Sequence, residues 1–210
     1  RTGASAVAAG ASALADWPPH YRQIERVRAE TAEEFLKQVA PRVKRSEPVI
    51  IEGTRIMRVE RWQDLSWIAK LFGDRTVDVY CSQNRYFRYS DEKKNSGNFK
   101  FVRPLVHKKQ TFSEFIEESD RLLASASPAR MYMQESMDGH PEMAQEFKSW
   151  DWALLIEVTQ KLGWGLPEAN EMFLGMRDAE TPLHFDEREN LFFQVRGCKR
   201  VCLFSGSEYS

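Results

Sequence analysis

The feature that most limits the fold is a series of short strand-like segments near the end of the chain. The segments that read as strands are residues 170–176, 184–187, 190–195 and 199–204. Arg196 and Gly197 form the predicted turn between the last two. Consecutive strands without helices between them pair with their neighbours in an antiparallel sandwich or barrel. The chain is therefore expected to be mainly β, with helices on its flanks.

The part of the chain before these strands mixes helices and strands. Thr31 with Glu34, and Thr111 with Glu114, have the spacing of a capping box at a helix start. The predicted helices begin at Thr31 and Thr111, cover residues 64–73, and run from Met143 to about Gly163. The predicted strands are residues 48–53, 76–82 and 130–136.

Length and composition exclude several classes of protein. The chain has 210 residues, of which 42% are hydrophobic, and this is enough for one globular domain. The net charge of -1 argues against a dominant electrostatic grip on nucleic acid. No apolar run is long enough to span a bilayer, so a membrane role is not expected. The three cysteines, Cys81, Cys198 and Cys202, lack paired metal spacing and indicate free thiols in a reducing compartment.

The first 20 residues are rich in Ala, Gly and Ser and are expected to form a flexible tail. One Arg and no acidic residue precede Asp16, which is also typical of the remnant of a transit peptide. Residues 21–210 are then the N-terminal and central part of one domain. A cytoplasmic or nuclear location is expected, or an organellar one if the tail is such a remnant.

His184 and Asp186 are two residues apart in one of the predicted strands. Side chains at this spacing point to the same face of a strand, so both can reach one point. An imidazole nitrogen and a carboxylate oxygen are two of the three ligands of the two-His, one-carboxylate Fe(II) site. The chain has four histidines, so this spacing also arises by chance, and an ordinary core or surface histidine is the alternative.

Three further polar residues give this pair a context. Lys199 follows the predicted turn, and its ammonium can pair with a carboxylate. Thr181 and Tyr132 each add a hydroxyl group. One cation and two hydroxyls make a receptor for a small dicarboxylate, and the alternative is a polar sheet edge.

The stretch GMRDAETPLHFDERENLFFQVRGCKRVCLF resembles the JmjC-domain cupin oxygenases. The stretches EPVIIEG, FRYSDEKKNSGNFKFVRP, RMYMQESM and WDWALLIEVTQKLGWG have counterparts in that family, in the same order and at nearly the same spacing. Within the family the likeness is to the asparaginyl hydroxylase group, which includes the inhibitor of the hypoxia-inducible transcription factor. It covers roughly residues 24–204 and implies a double-stranded β-helix, or jelly roll.

The resemblance implies an enzyme that uses Fe(II) and 2-oxoglutarate. It assigns the metal to His184 and Asp186, 2-oxoglutarate to Lys199, Thr181, Tyr132 and Asn190, and the polypeptide substrate to Tyr89, Gln134 and Arg188. The implied reaction converts 2-oxoglutarate and oxygen into succinate and carbon dioxide while a C–H bond is hydroxylated. In the asparaginyl group that bond is on the β-carbon of asparagine. The implied substrates are ankyrin-repeat or transcription-factor segments.

Two features depart from the family pattern. Arg188 stands where the family has a substrate-contacting glutamine, and a charged fork without an acceptor would change hydrogen bonding to an asparagine amide. No histidine follows His184, whereas the family takes its third ligand from a distal histidine. The closing strands and the helices through which relatives form homodimers are also missing. The β-helix is therefore expected to be truncated at its C-terminus, and this piece to be inactive by itself.

Other functions stay open on the sequence alone. A histone demethylase or a tRNA-modifying hydroxylase is the alternative within the JmjC oxygenases. A catalytically inactive cupin scaffold is the alternative outside them, because the distal histidine is absent. The stretch YSDEKK and the wide upstream likeness favour the asparaginyl type.

Overall fold

The computed structural model describes residues 22–88, 104–138 and 141–205. The strands are β1 (Arg26–Arg28), β2 (Ile50–Glu52), β3 (Thr76–Ser82), β4 (Leu105–Thr111), β5 (Arg130–Ser136) and β6 (Glu171–Gly175). The helices are α1 (Ala32–Val43), α2 (Leu65–Phe72), α3 (Phe112–Ala124), α4 (Pro141–Lys148) and α5 (Trp152–Lys161), with a short 3-10 helix at Arg61–Gln63. The described residues fall into two compact units, one within residues 22–54 and one within residues 55–205.

In the first unit, β1 and β2 pair in parallel and α1 lies between them in sequence. The predicted capping box is confirmed: the Thr31 hydroxyl accepts from the Glu34 amide at 3.2 Å, and the Glu34 carboxylate accepts from the Thr31 amide. These hydrogen bonds begin α1 at the predicted residue. The helix buries Phe35 and Val39. The strand predicted at residues 48–53 is confirmed as β2, although it is only half-buried.

The second unit contains a four-stranded antiparallel sheet with the order β4-β3-β5-β6. The strands predicted at residues 76–82 and 130–136 are confirmed as β3 and β5. The edge strand β4 was not predicted, because its consecutive lysines, Lys108 and Lys109, hide the alternation of a strand. Lysines on an edge strand discourage pairing with other chains, so this composition suits its position.

One face of the sheet forms the hydrophobic core of the second unit. Val77 and Val79 on β3, and Met131 and Met133 on β5, are at most 1% exposed. Helices α2 and α3 cover this face, and their Phe72 and Phe112 rings stack at 5.2 Å. The Thr111 capping box that begins α3 is also confirmed, with Glu114 accepting from the Thr111 amide at 2.7 Å. The core therefore holds β3 and β5 in place from one side.

The opposite face of the sheet carries polar and aromatic side chains. A cross-strand row runs from His107 on β4 through Tyr80 on β3 and Tyr132 on β5 to Gly175 on β6. The His107 and Tyr80 ring centroids are 5.0 Å apart. Among the described residues, this face holds the two predicted site residues that lie in a strand, Tyr132 and Gln134.

The last three predicted strands do not form. Residues 181–204 contain no strand, and the only described partner of β6 is β5. Alternating side chains favour a strand, but a strand also needs a hydrogen-bonded neighbour for its backbone. Phe185, expected to point into a second layer, is instead 84% exposed. As a result, helices contribute more residues than strands to the described part of the chain.

One predicted helix is divided in the structure, and two predicted stretches lie outside the described residues. The helix predicted from Met143 to Gly163 is two helices, because Asp151 caps α5 by accepting from the Leu154 amide at 2.9 Å. The tail at residues 1–20 and the YSDEKK stretch lie outside the described residues. None of the helices in residues 22–88, 104–138 and 141–205 is long and apolar enough to cross a membrane.

Candidate functional site

Residues 181–204, called the site segment below, are irregular in structure but fixed at two places. Just before the segment, the Glu180 amide donates to the Arg85 carbonyl at 2.8 Å, and the Glu180 carbonyl accepts from the Phe87 amide at 2.9 Å. Further along, the Gln63 side-chain amide donates to the Val195 carbonyl at 2.6 Å. The segment is therefore held to the remainder of its unit on both sides of His184 and Asp186.

The His184 ring is oriented by a local backbone carbonyl. Its Nδ1 lies 2.8 Å from the Pro182 carbonyl oxygen, which can only accept a hydrogen bond. In the neutral imidazole this places the proton on Nδ1 and leaves the Nε2 lone pair available. Metal-binding histidines in proteins are oriented in this way by a carbonyl or carboxylate partner.

Asp186 is oriented by Asn190. The Asn190 side-chain amide donates to Asp186 Oδ2 at 2.8 Å, which leaves Oδ1 facing the histidine. Asp186 Oδ1 and His184 Nε2 are 3.9 Å apart. The two side chains are therefore neighbours in the structure, although no strand brings them together, and their role as metal ligands stays a prediction.

The spacing of the two donors is wider than that of adjacent ligands on one divalent cation. With metal–nitrogen and metal–oxygen bonds of about 2.0–2.2 Å, two donors at right angles lie roughly 3 Å apart, so the 3.9 Å between His184 Nε2 and Asp186 Oδ1 would have to shorten when a metal binds. Both side chains are more than half exposed, so an ion bound there would keep open positions for small ligands. Within the described part of the chain, no third histidine, cysteine or carboxylate joins them. The pair offers the imidazole and carboxylate donor types of an iron site, and the described residues supply these two donors alone.

Lys199 presents an ammonium group without a carboxylate partner among the described residues. Its Nζ lies 4.9 Å from the centroid of the Phe192 ring, a cation–π contact. Partial desolvation by surrounding atoms lowers the pKa of the Lys199 ammonium, although the residue remains exposed as a whole. Binding of an anion to this partly desolvated ammonium is therefore favourable.

The other predicted site residues are distributed over the sheet and the site segment. Tyr132 and Gln134 point to the polar face of β5, where the Tyr132 ring lies 5.6 Å from that of Phe87. Thr181 is exposed at the start of the site segment. Arg188 forms an ion pair with Glu168, and both side chains are exposed. Tyr89 lies outside the described residues.

A second histidine–aspartate pair was not predicted. His107 Nε2 on β4 lies 2.7 Å from Asp78 Oδ1 on β3, and the Lys109 ammonium is 3.3 Å from the same oxygen. These residues meet through strand register, which the spacing along the chain does not reveal. The Lys109 cation neutralises Asp78, so this pair is less suited to a metal than His184 and Asp186.

Comparison with known proteins shows the family. The model of the cupin-like domain family matches residues 32–210. The chain belongs to this cupin-like family. The cupin part of the expected resemblance is thereby confirmed, together with an antiparallel sheet flanked by helices.

One curated relative adds a more distant likeness. The cupin-like chain is 27% identical over 195 residues to tRNA wybutosine-synthesizing protein 4 of Neurospora crassa. The alignment covers 88% of this chain and 14% of that protein, so the chain spans about a seventh of the relative's length. The family supports an oxygenase-type or related function, and the substrate is a separate question.

Proposed function

We propose that this cupin-like chain carries part of the active site of an Fe(II)- and 2-oxoglutarate-dependent oxygenase. The observation that carries the proposal is the pairing of His184 and Asp186. The Nδ1 contact with Pro182 leaves Nε2 available, and Asn190 leaves one Asp186 oxygen turned towards it. Local hydrogen bonds thus prepare both donors for one cation. By the same proposal, the four-stranded sheet is one wall of a double-stranded β-helix.

The proposed cosubstrate site uses Lys199 as its cation. The partly desolvated ammonium has no carboxylate partner among the described residues and would bind one carboxylate of 2-oxoglutarate. Thr181 and Tyr132 are proposed to donate hydroxyl hydrogen bonds to the same molecule. Asn190 contacts Asp186 in the structure, so its proposed role is to orient the metal ligand beside the cosubstrate.

Iron and 2-oxoglutarate, when bound, would supply the oxidative chemistry, in which 2-oxoglutarate, O2 and a substrate C–H bond give succinate, carbon dioxide and a C–OH bond. The chain contributes position and charge. His184 and Asp186 hold the metal, and Lys199 sets the orientation of the dicarboxylate. Gln134, Arg188 and Tyr89 are proposed to contact the substrate. Only two protein ligands are found among the described residues, so we expect metal binding by this chain to be weak.

Two substrate classes are proposed, and each has its own support. The sequence likeness to asparaginyl hydroxylases favours a protein side chain, such as an asparagine in an ankyrin-repeat or transcription-factor segment. The likeness to tRNA wybutosine-synthesizing protein 4 of Neurospora crassa favours tRNA as the second candidate. A protein partner and a cytoplasmic or nuclear site of action belong to the first proposal, and so does a homodimer of the complete enzyme.

The cosubstrate proposal can be tested by binding, without turnover. We would titrate 2-oxoglutarate into the Mn(II)-loaded chain by calorimetry and compare Lys199→Ala with the parent. Loss of a charged hydrogen bond predicts an affinity about ten- to a hundredfold lower. Lys161→Ala is the matched control, since Lys161 is an exposed lysine paired with Glu157 on α5. Equal affinities for parent and Lys199→Ala would refute the role of Lys199.

Substrate class can be tested by mass spectrometry. The chain is incubated with Fe(II), 2-oxoglutarate and either asparagine-containing peptides or tRNA. A gain of one oxygen atom on asparagine supports the first class, and a gain on a nucleoside supports the second. Succinate at background level with both substrates would count against oxygenase activity by this chain. Robust succinate formation would support the oxygenase proposal itself.

A further inference from the structure

Gly175 ends the last strand of the sheet directly beside Tyr132. The two residues are register partners on β6 and β5, at the end of the row that begins with His107 and Tyr80. The Tyr132 ring leans over Gly175. It is flanked by the Phe87 ring at 5.6 Å and the Phe173 ring at 6.0 Å.

A methyl group at Gly175 would collide with this ring. A Cβ placed on Gly175 would lie 2.9 Å from Tyr132 Cδ2 and 3.0 Å from Cε2. The nearest other atom, the Ala179 Cβ, would be at an ordinary 3.6 Å. Gly175 is not among the residues with positive φ, so backbone conformation does not require glycine here. The space that the missing side chain leaves is occupied by the tyrosine ring.

We infer that Gly175 is a positioning residue for the Tyr132 phenol, a role that rests on the function proposed above. The ring would have to move by roughly 0.5 Å to relieve the contact, since close-packed interiors leave few voids to absorb it. Rotation about the Cβ–Cγ bond of Tyr132 would leave the hydroxyl on the rotation axis, whereas rotation about the Cα–Cβ bond carries the hydroxyl further than the ring edge. The second rotation is therefore the one that displaces the hydroxyl.

The direction of the movement is limited by the neighbours of the ring. Phe87, which is 1% exposed, and Phe173 both pack against the Tyr132 ring. These contacts restrict rotation of the ring about its Cβ–Cγ bond, so the collision is relieved by rotation about the Cα–Cβ bond. The hydroxyl then misses the hydrogen bond proposed to 2-oxoglutarate, while Lys199 and the metal pair are unaffected.

The steric part is tested by a double-mutant cycle of thermal unfolding. Gly175→Ala is compared in the parent and in a Tyr132→Ala background, where no ring is present to collide. We expect the substitution to lower the melting temperature of the parent and to have little effect in the Tyr132→Ala background. Equal shifts in both backgrounds would overturn the inference. This arm also remains informative if Gly175→Ala alone folds poorly.

The functional part is tested by calorimetry with Mn(II) and 2-oxoglutarate. Gly175→Ala is expected to weaken cosubstrate binding about tenfold, as does Tyr132→Phe, and the double variant should be no weaker than either single variant. Affinity for Mn(II) alone should stay at the level of the parent. Cosubstrate binding by Gly175→Ala at the parent's affinity would overturn this inference alone. A parent chain that does not bind 2-oxoglutarate would overturn both this inference and the function on which it rests.

Discussion

Replacing Asn190 with alanine removes the hydrogen bond that orients the Asp186 carboxylate. In the structure the Asn190 amide donates to Oδ2 at 2.8 Å, and Oδ1 faces His184 Nε2. Without this donor the carboxylate can rotate, so Oδ1 is no longer held towards His184. The substitution leaves both proposed metal ligands in place and changes only the orientation of the Asp186 carboxylate before a metal binds.

The expected loss of metal affinity depends on how exposed the Asp186 side chain is. A hydrogen bond to a charged group contributes about 1.5–3 kcal/mol, but Asp186 is 60% exposed and water replaces part of the lost bond. About 0.7–1.4 kcal/mol then remains, which corresponds to a three- to tenfold loss of metal affinity. This is at or below the lower limit of the roughly 10–100-fold losses seen when outer-shell partners of metal ligands are removed, as expected for an exposed site.

Metal affinity is measured by titrating Mn(II) and following the free ion by electron paramagnetic resonance. Gln194→Ala is the matched control, because Gln194 is an exposed amide in the same segment that donates to the Arg196 carbonyl at 2.7 Å. We expect Asn190→Ala to bind Mn(II) more weakly and Gln194→Ala to match the parent. The same affinity for all three proteins would refute the orienting role of Asn190.

The remaining predictions concern stability and pH. Phe112→Ala should lower the free energy of unfolding by about 3–5 kcal/mol in urea, because the side chain is fully buried, and Phe185→Ala, 84% exposed, should change it by less than about 0.5 kcal/mol. The Thr111 amide and hydroxyl lower the pKa of Glu114, so this stabilisation is present above the ordinary value of 4.5 and is lost as pH falls through the lowered pKa. Glu114→Gln should therefore flatten the acid limb of unfolding followed by circular dichroism, and an unchanged limb would contradict this. Because the pKa of Lys199 is lowered, 2-oxoglutarate binding should decline on the alkaline side before the ordinary lysine value of 10.5, whereas Lys199→Arg should bind at constant affinity through that range.

Elements with local signals could be predicted from the sequence. Thr31 and Thr111 cap α1 and α3 because a threonine and a glutamate three residues apart satisfy each other's amides. The strands β3 and β5 coincide with their alternating patterns because one face of each packs against helices. In contrast, β4 depends on its pairing with β3, and a polar sequence carries no sign of that partner.

Strand prediction failed in the site segment for a related reason. The pattern around Phe185 and Val201 alternates, but described residues 181–204 find no neighbouring strand, and both side chains are exposed. An alternating pattern indicates which face of a strand would be buried, but it does not indicate whether a neighbouring strand is present. The helix break before α5 was missed because Asp151 acts as a cap inside an otherwise helical apolar spacing.

The sequence suggested which residues could form a site, but not the contacts that orient them, and their metal role remains a prediction. The spacing of His184 and Asp186 pointed to a common ligand, and the two side chains do face each other. The contacts that orient them, from the Pro182 carbonyl and from Asn190, could not be derived from a strand that does not form. The pairing of His107 with Asp78 could not be predicted either, because it joins residues 29 positions apart. The proposed cosubstrate and substrate roles remain predictions.

Divalent metal binding by His184 and Asp186 is the central claim, and affinity for Mn(II) measures it most directly. The parent, His184→Ala and Asp186→Ala are compared with His107→Ala, which removes a histidine from the other histidine–aspartate pair. We predict that the first two variants lose Mn(II) binding while His107→Ala retains the affinity of the parent. Binding that survives in both His184→Ala and Asp186→Ala, or that is lost equally in His107→Ala, would contradict a metal site at this pair.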